Sequence, residues 1–113
     1  MNLVVDQLNP QTVCLRLNGR LDLKGCGEIE QRFVALAATH GNNVIVDMAH
    51  LEFLASIGIR LLISSAKANA RRGGHMVLAA PPAAVRSVLE TAGIDTLIPL
   101  FADEAQALSS LSA

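Results

Sequence analysis

The chain has 113 residues, 51% of them apolar, with nine basic and ten acidic side chains and a net charge of -1. That suffices for a single domain over 1–113 with a modest core. Its basic residues are too scattered, apart from Arg71-Arg72, and its three phenylalanines with no tryptophan or tyrosine too few, to track or stack nucleic acid.

Met1 to Leu8 alternates like a strand instead of carrying a basic segment before an apolar run, and no apolar stretch approaches the roughly 20 residues that span a bilayer. The expectation is a soluble, cytoplasmic protein without membrane insertion. Cys14 and Cys26 lack a second pair of ligands, so they read as two reduced thiols and not as a metal site or a disulfide.

In chain order, Leu3 and Val5, then Val13, Leu15 and Leu17, alternate with other residues on either side of Asn9-Pro10 and predict a β-hairpin. From Lys24 the period changes. Ile29, Phe33, Leu36 and Ala37 predict a helix, with Gly41 as its left-handed C-terminal cap. Val44-Ile45-Val46 predicts a central strand ending at Asp47, followed by a loop over Ala49 to Leu54. Ile59, Leu62, Ile63, Ala66 and Ala70 share one face of a second helix, over Ile57 to Arg72, that stops at Gly73-Gly74. His75 to Ala79 predicts a strand, and Pro81-Pro82 open a helix carrying Val85, Val88 and Leu89 to a cap at Gly93. Leu97 to Phe101 is a last strand candidate, and Asp103 is placed to cap a helix over Glu104 to Leu111. The order β-β-α-β-α-β-α-β-α predicts an α/β fold: a mixed sheet of four to five strands flanked by about four helices. Function in such sheets sits at the strand ends, where loops lead into helices.

Ser56, a hydroxyl in the apolar run FLASIGIRLL, lies at such a place. Directly before the second helix, it fits an N-cap whose oxygen accepts from an amide one turn in. The same position suits a phosphate, which the free amides and positive dipole end of a helix N-terminus favour. Phe53, Leu54, Ile57 and Ile59 would surround it with an apolar surface fit for a partner. A phosphate of charge about -1.5 to -2 in that surface would have to be desolvated on docking, which makes the position a potential switch. Arg60, one turn on, reads either as a solvated helix arginine or as a mate for a phosphate or a partner carboxylate. Gly58 reads as a point of close approach, so that valine there should impair binding more than folding.

Enzymatic chemistry finds little to work with. Gly25-Cys26-Gly27 lacks the third glycine of a dinucleotide loop and is followed by Glu28 and Glu30, which would repel a phosphate, so it reads as a cap or a loop, and there is no Walker-type lysine loop. Ser56 lacks the glycine two places before it that a nucleophile elbow requires, since Leu54 stands there, and neither His50 nor His75 is placed as its base. A binding protein without catalytic residues, cofactor or metal is expected.

The run Val44-Ile45-Val46-Asp47, Leu51, Phe53, Ser56, Gly58, Leu61-Leu62 and Lys67 resembles the signature region of STAS domains, in particular bacterial anti-sigma factor antagonists. Leu17-Asn18-Gly19-Arg20-Leu21-Asp22 resembles the family's LxGxLD segment, and Gly73 to Leu78 its strand after the long helix. The resemblance implies that Ser56 is the serine phosphorylated by a cognate anti-sigma kinase, a histidine-kinase-like ATPase. The unphosphorylated form would bind that kinase, the phosphorylated form would be released, and a PPM-type phosphatase would restore the first. It also implies that Asp22 lies near the serine and joins Leu54, Ile57 and Gly58 on the partner-binding face. The sequence departs from the family's Asp-Ser-(Ser/Thr)-Gly loop at both flanks, with Ala55 for the aspartate and Ile57 for the second hydroxyl. That departure keeps a second implied role open, a constitutive STAS subunit of a larger complex such as a lipid-transport ATPase.

Overall fold

The computed structural model describes residues 1–112. β1 (Asn2–Asn9) and β2 (Thr12–Leu21) form the expected hairpin, with α1 over Leu23–Ala37, β3 over Asn43–Leu54 and α2 over Ser56–Arg71. β4 (Met76–Ala79), α3 (Ala83–Thr91), a 3-10 turn (Ile94–Thr96), β5 (Leu100–Phe101) and α4 (Glu104–Ser112) complete the chain. The sheet runs in order β1-β2-β3-β4-β5, antiparallel between β1 and β2 and parallel thereafter.

Because each parallel connection steps to the next strand in one direction, right-handed crossovers put α1, α2 and α3 on one face. That face holds the main core. Val13, Leu15 and Leu17 of β2, Val44, Val46 and Met48 of β3, and Met76 and Leu78 of β4 pack there against Phe33, Leu62 and Leu89 of the three helices. The intervening residues Cys14, Ile45, Val77 and Ala79 face the other way and meet α4 through Ala107. Val44, Ile45 and Val46 are buried whichever face they occupy, as expected of a central strand.

Helix ends follow local chemistry. Asp103 Oδ1 accepts from the Gln106 N–H at 2.8 Å and caps α4, and Gly73 (φ +87°) and Gly93 (φ +72°) supply the left-handed residues where α2 and α3 stop. Gly41 is also left-handed (φ +66°), but α1 has already ended at Ala37, so it shapes the loop and not the cap. That loop is tied down by the fully buried Asn69 of α2, whose Nδ2 donates to the carbonyls of Ala37 and Asn42, each at 2.9 Å.

Two boundaries differ from expectation. Residues 49–54 are not a loop: β3 continues to Leu54, paired with β2 through register shifts between Arg16 and Asn18 and between Gly19 and Arg20. Each bulge resets the in-out alternation, so the polar run through His50 and Glu52 does not read as a strand. The last strand is only Leu100–Phe101, since Ile94–Thr96 takes a 3-10 turn before it.

Candidate functional site

β2 and β3 end together. Their register pairs Arg20 with Phe53 and Leu21 with Leu54, and the Ala55 N–H donates to the Leu21 carbonyl at 3.0 Å. The N-termini of α1 and α2 therefore emerge side by side, with Asp22 and Ser56 one residue beyond this bond on either chain segment.

Asp22 is the N-cap of α1: in extended backbone, its Oδ1 accepts from the Gly25 N–H at 2.8 Å. Arg20 Nε donates to its other oxygen at 3.4 Å. The Gly25 amide chiefly, and then Arg20, hold the Asp22 carboxyl below the usual carboxylate range. Arg20 in turn lies over the Phe53 ring, 4.3 Å from its centroid. Gly25 approaches the Arg20 carbonyl so closely that a Cβ would overlap it, which accounts for the glycine at that position; Gly25-Cys26-Gly27 lies within the first turns of α1.

Ser56 does not cap α2. Ala55 takes the extended cap conformation (φ -94°, ψ 168°) and contributes no side-chain hydrogen bond, while Ser56 is already the first helical residue. Its hydroxyl is free of that structural duty and exposed. The Asp22 carboxylate answers the positive end of the α1 dipole, whereas α2 has neither an acidic residue in its first turn nor a side-chain cap, so the positive end of its dipole is left open here.

The other expected site residues divide. Ile57 is half-buried and Arg60 exposed, and with Cys26, Glu30, Leu61 and Ser64 they line a cleft of about 210 Å³ between α1 and α2. Leu54 is corrected from surface to core: only 4% exposed, it faces inward as the last residue of β3. Gly58 is corrected likewise. It is buried, and a Cβ there would stand 2.8 Å from Leu21 Cγ and 2.9 Å from the Leu21 carbonyl oxygen. The close approach is to the chain's own β2, so valine at 58 strikes the fold before it reaches any partner. Phe53 (40% exposed) and Leu23 (73% exposed) provide the apolar surface instead. Leu23 and Arg20 were missed in the sequence. For Leu23 the signal was an apolar residue out of phase with the Ile29, Phe33 and Ala37 stripe of its own helix.

Among the described residues no group of three histidine, cysteine or carboxylate side chains is arranged to hold a metal ion, and no helix is long and apolar enough to cross a membrane. The two cysteines are free and buried.

Residues 4–99 match the protein family described as Mlab, STAS domain. An anti-sigma F factor antagonist of Paenibacillus polymyxa is 23% identical, the alignment covering 98% of this chain and 97% of that protein. The solved structure of an anti-sigma factor antagonist from Mycobacterium paratuberculosis is 21% identical and superposes with a TM-score of 0.88, covering 99% of this chain and 94% of that one. The Bacillus cell fate determinant SpoIIAA, solved in its phosphorylated form, is 22% identical with a TM-score of 0.71, over 96% and 98% of the two chains. At these identities the solved structures establish a shared fold.

Proposed function

This chain belongs to the STAS-domain family, and from that premise we propose that it is an anti-sigma factor antagonist, a regulatory binder that docks through the α1–α2 end of the molecule and is switched at Ser56. The partner is a histidine-kinase-like ATPase that binds the unphosphorylated serine and phosphorylates it. A PPM-type phosphatase reverses the step. The observation that carries this reading is the position of Ser56: an exposed hydroxyl on the first turn of α2, released from capping by Ala55. Exposed Leu23 and Phe53, with Asp22 and Arg20, share that end of the sheet.

Phosphorylation would act on binding and not on the fold. The amides of the first turn and the dipole of α2 accept a negative charge without rearrangement. A docked partner must strip water from that charge, and a penalty of about 3 kcal/mol weakens binding more than a hundredfold. Asp22, already satisfied by Gly25 and Arg20, keeps the α1 end rigid and presents Leu23 and the Arg20–Phe53 stack at a fixed place.

Affinity capture from host lysate with Ser56→Ala and Ser56→Asp as separate baits tests the proposal. A histidine-kinase-like ATPase held by alanine and lost by aspartate supports it. A second reading is favoured by Ala55, since the carboxylate that precedes the serine elsewhere in the family is missing here: a constitutive STAS subunit of a larger complex such as a lipid-transport ATPase. Under that reading both baits retain the same complex.

A further inference from the structure

Among the described residues, α4 is the helix that closes the second face of the sheet. Cys14, Ile45, Val77 and Ala79 lie buried on it beneath Ala107, with half-buried Leu108 and Leu111 alongside. The helix is nine residues long, shorter than the roughly 12–15 at which an isolated helix is even marginally stable in water. Near its C-terminal end it is undercut. A groove of about 580 Å³ passes Ser110 and Leu111 and continues along Ala66, His75, Leu97 and Phe101.

Its N-terminal end is held by charge. Arg16 of β2 donates from Nη2 to Glu104 Oε1 at 2.9 Å, from Nη1 to Asp47 Oδ2 at 2.9 Å, and from Nε to Asp6 Oδ2 at 3.0 Å. One guanidinium thus gathers carboxylates from β1, β3 and α4. Burial first, and then the neighbouring Glu104 carboxylate, push the Cys14 thiol up to about 12. Without Glu104, Arg16 keeps two charged partners, so letting go of α4 strands no unpaired charge on the sheet.

We propose that α4 is a detachable cover with Glu104 as its catch on Arg16, and that its release uncovers the apolar strip of Cys14, Ile45, Val77 and Ala79 while the sheet and α1–α3 stay folded. It is a second two-state element, on the opposite face from the helices that carry Ser56, and it operates whether or not Ser56 is a switch. Such local openings are expected where buried apolar contacts are few, and Ala107 is the buried residue of α4.

Hydrogen exchange of the full chain, read by mass spectrometry, tests it, with the Glu104→Gln variant beside the wild type. The α4 amides should exchange at least about tenfold faster than those of Val44 to Val46, and a further several-fold faster in Glu104→Gln with β3 unchanged. Because Glu104 also governs the Cys14 thiol, solvent access is read separately in Leu111→Ala by alkylation with N-ethylmaleimide. Cys14, under α4, should be modified several-fold faster than in the wild type, and Cys26, on the buried side of α1 at the other face of the sheet, at its wild-type rate. If α4 exchanges in step with β3 in both proteins, or if Cys14 and Cys26 accelerate together, α4 departs only with global unfolding and the proposal is overturned.

Discussion

The Ala55 N–H bonds the Leu21 carbonyl at 3.0 Å, and that single contact sets Asp22 and Ser56 at neighbouring helix starts. Asp22 is spent on structure, as the cap of α1. Ser56 is not, because Ala55 occupies the cap of α2.

Ser56→Ala should leave stability within about 0.5 kcal/mol of wild type, since no cap is lost. Ser56→Asp should be neutral or gain about 0.3 to 1 kcal/mol from the helix dipole. Urea unfolding of the three proteins checks both. A loss of about 1 kcal/mol in Ser56→Ala would mean the hydroxyl caps the helix after all.

Gly58→Ala should destabilise the protein by about 1–3 kcal/mol through overpacking, partly offset by alanine's better helix propensity. The Leu21 side chain can shift, but its carbonyl belongs to β2 and cannot without disturbing the sheet. The urea midpoint reads the effect. An unchanged midpoint would show that the α2 start has slack that the geometry does not suggest.

Leu23→Ala removes a side chain that is 73% exposed, so folding stability should hold while affinity for the partner ATPase falls about tenfold, the equivalent of about 1.4 kcal/mol. Calorimetric titration of the purified pair measures it. Equal affinity would take Leu23 out of the interface.

Asp22 gives a pH signature. Its carboxyl is held below its ordinary value by the Gly25 amide first and Arg20 second, so folding favours the ionised form. That contribution is complete above the unfolded carboxylate pKa of about 3.9 and disappears as the pH falls through the lower folded value. Asn caps helices as well as Asp does. Wild type should therefore lose more stability than Asp22→Asn between pH 6 and pH 3, as followed by urea midpoints; parallel losses would show that the charge is not engaged.

Much of this was legible in the sequence because hydrophobic period and stop residues agreed. Val44-Ile45-Val46 announced a central strand, Gly73 and Gly93 announced helix ends, and Asp103 announced a cap. The discrepancies have local causes. Bulges opposite Gly19 broke the alternation of β3, so Ala49 to Leu54 looked like a loop. A serine beside an alanine looked like the better cap, yet the chain places Ala55 in the extended conformation and Ser56 in the helix. Leu54 and Gly58 read as surface because tertiary contact with Leu21 leaves no mark in a linear pattern. Leu23 went unnoticed because a lone exposed leucine becomes informative only once Phe53 and Ser56 are known to share its end of the sheet.

The most direct test of the switch is to incubate the purified protein with its captured ATPase partner and ATP, map any phosphate by peptide mass spectrometry, and titrate both forms against the ATPase. The account predicts a single phosphate on Ser56, none on Ser56→Ala, and an affinity at least about a hundredfold weaker for the phosphorylated protein. A phosphate on another residue, or a Ser56-phosphorylated protein that binds as tightly as the unmodified one, would contradict it.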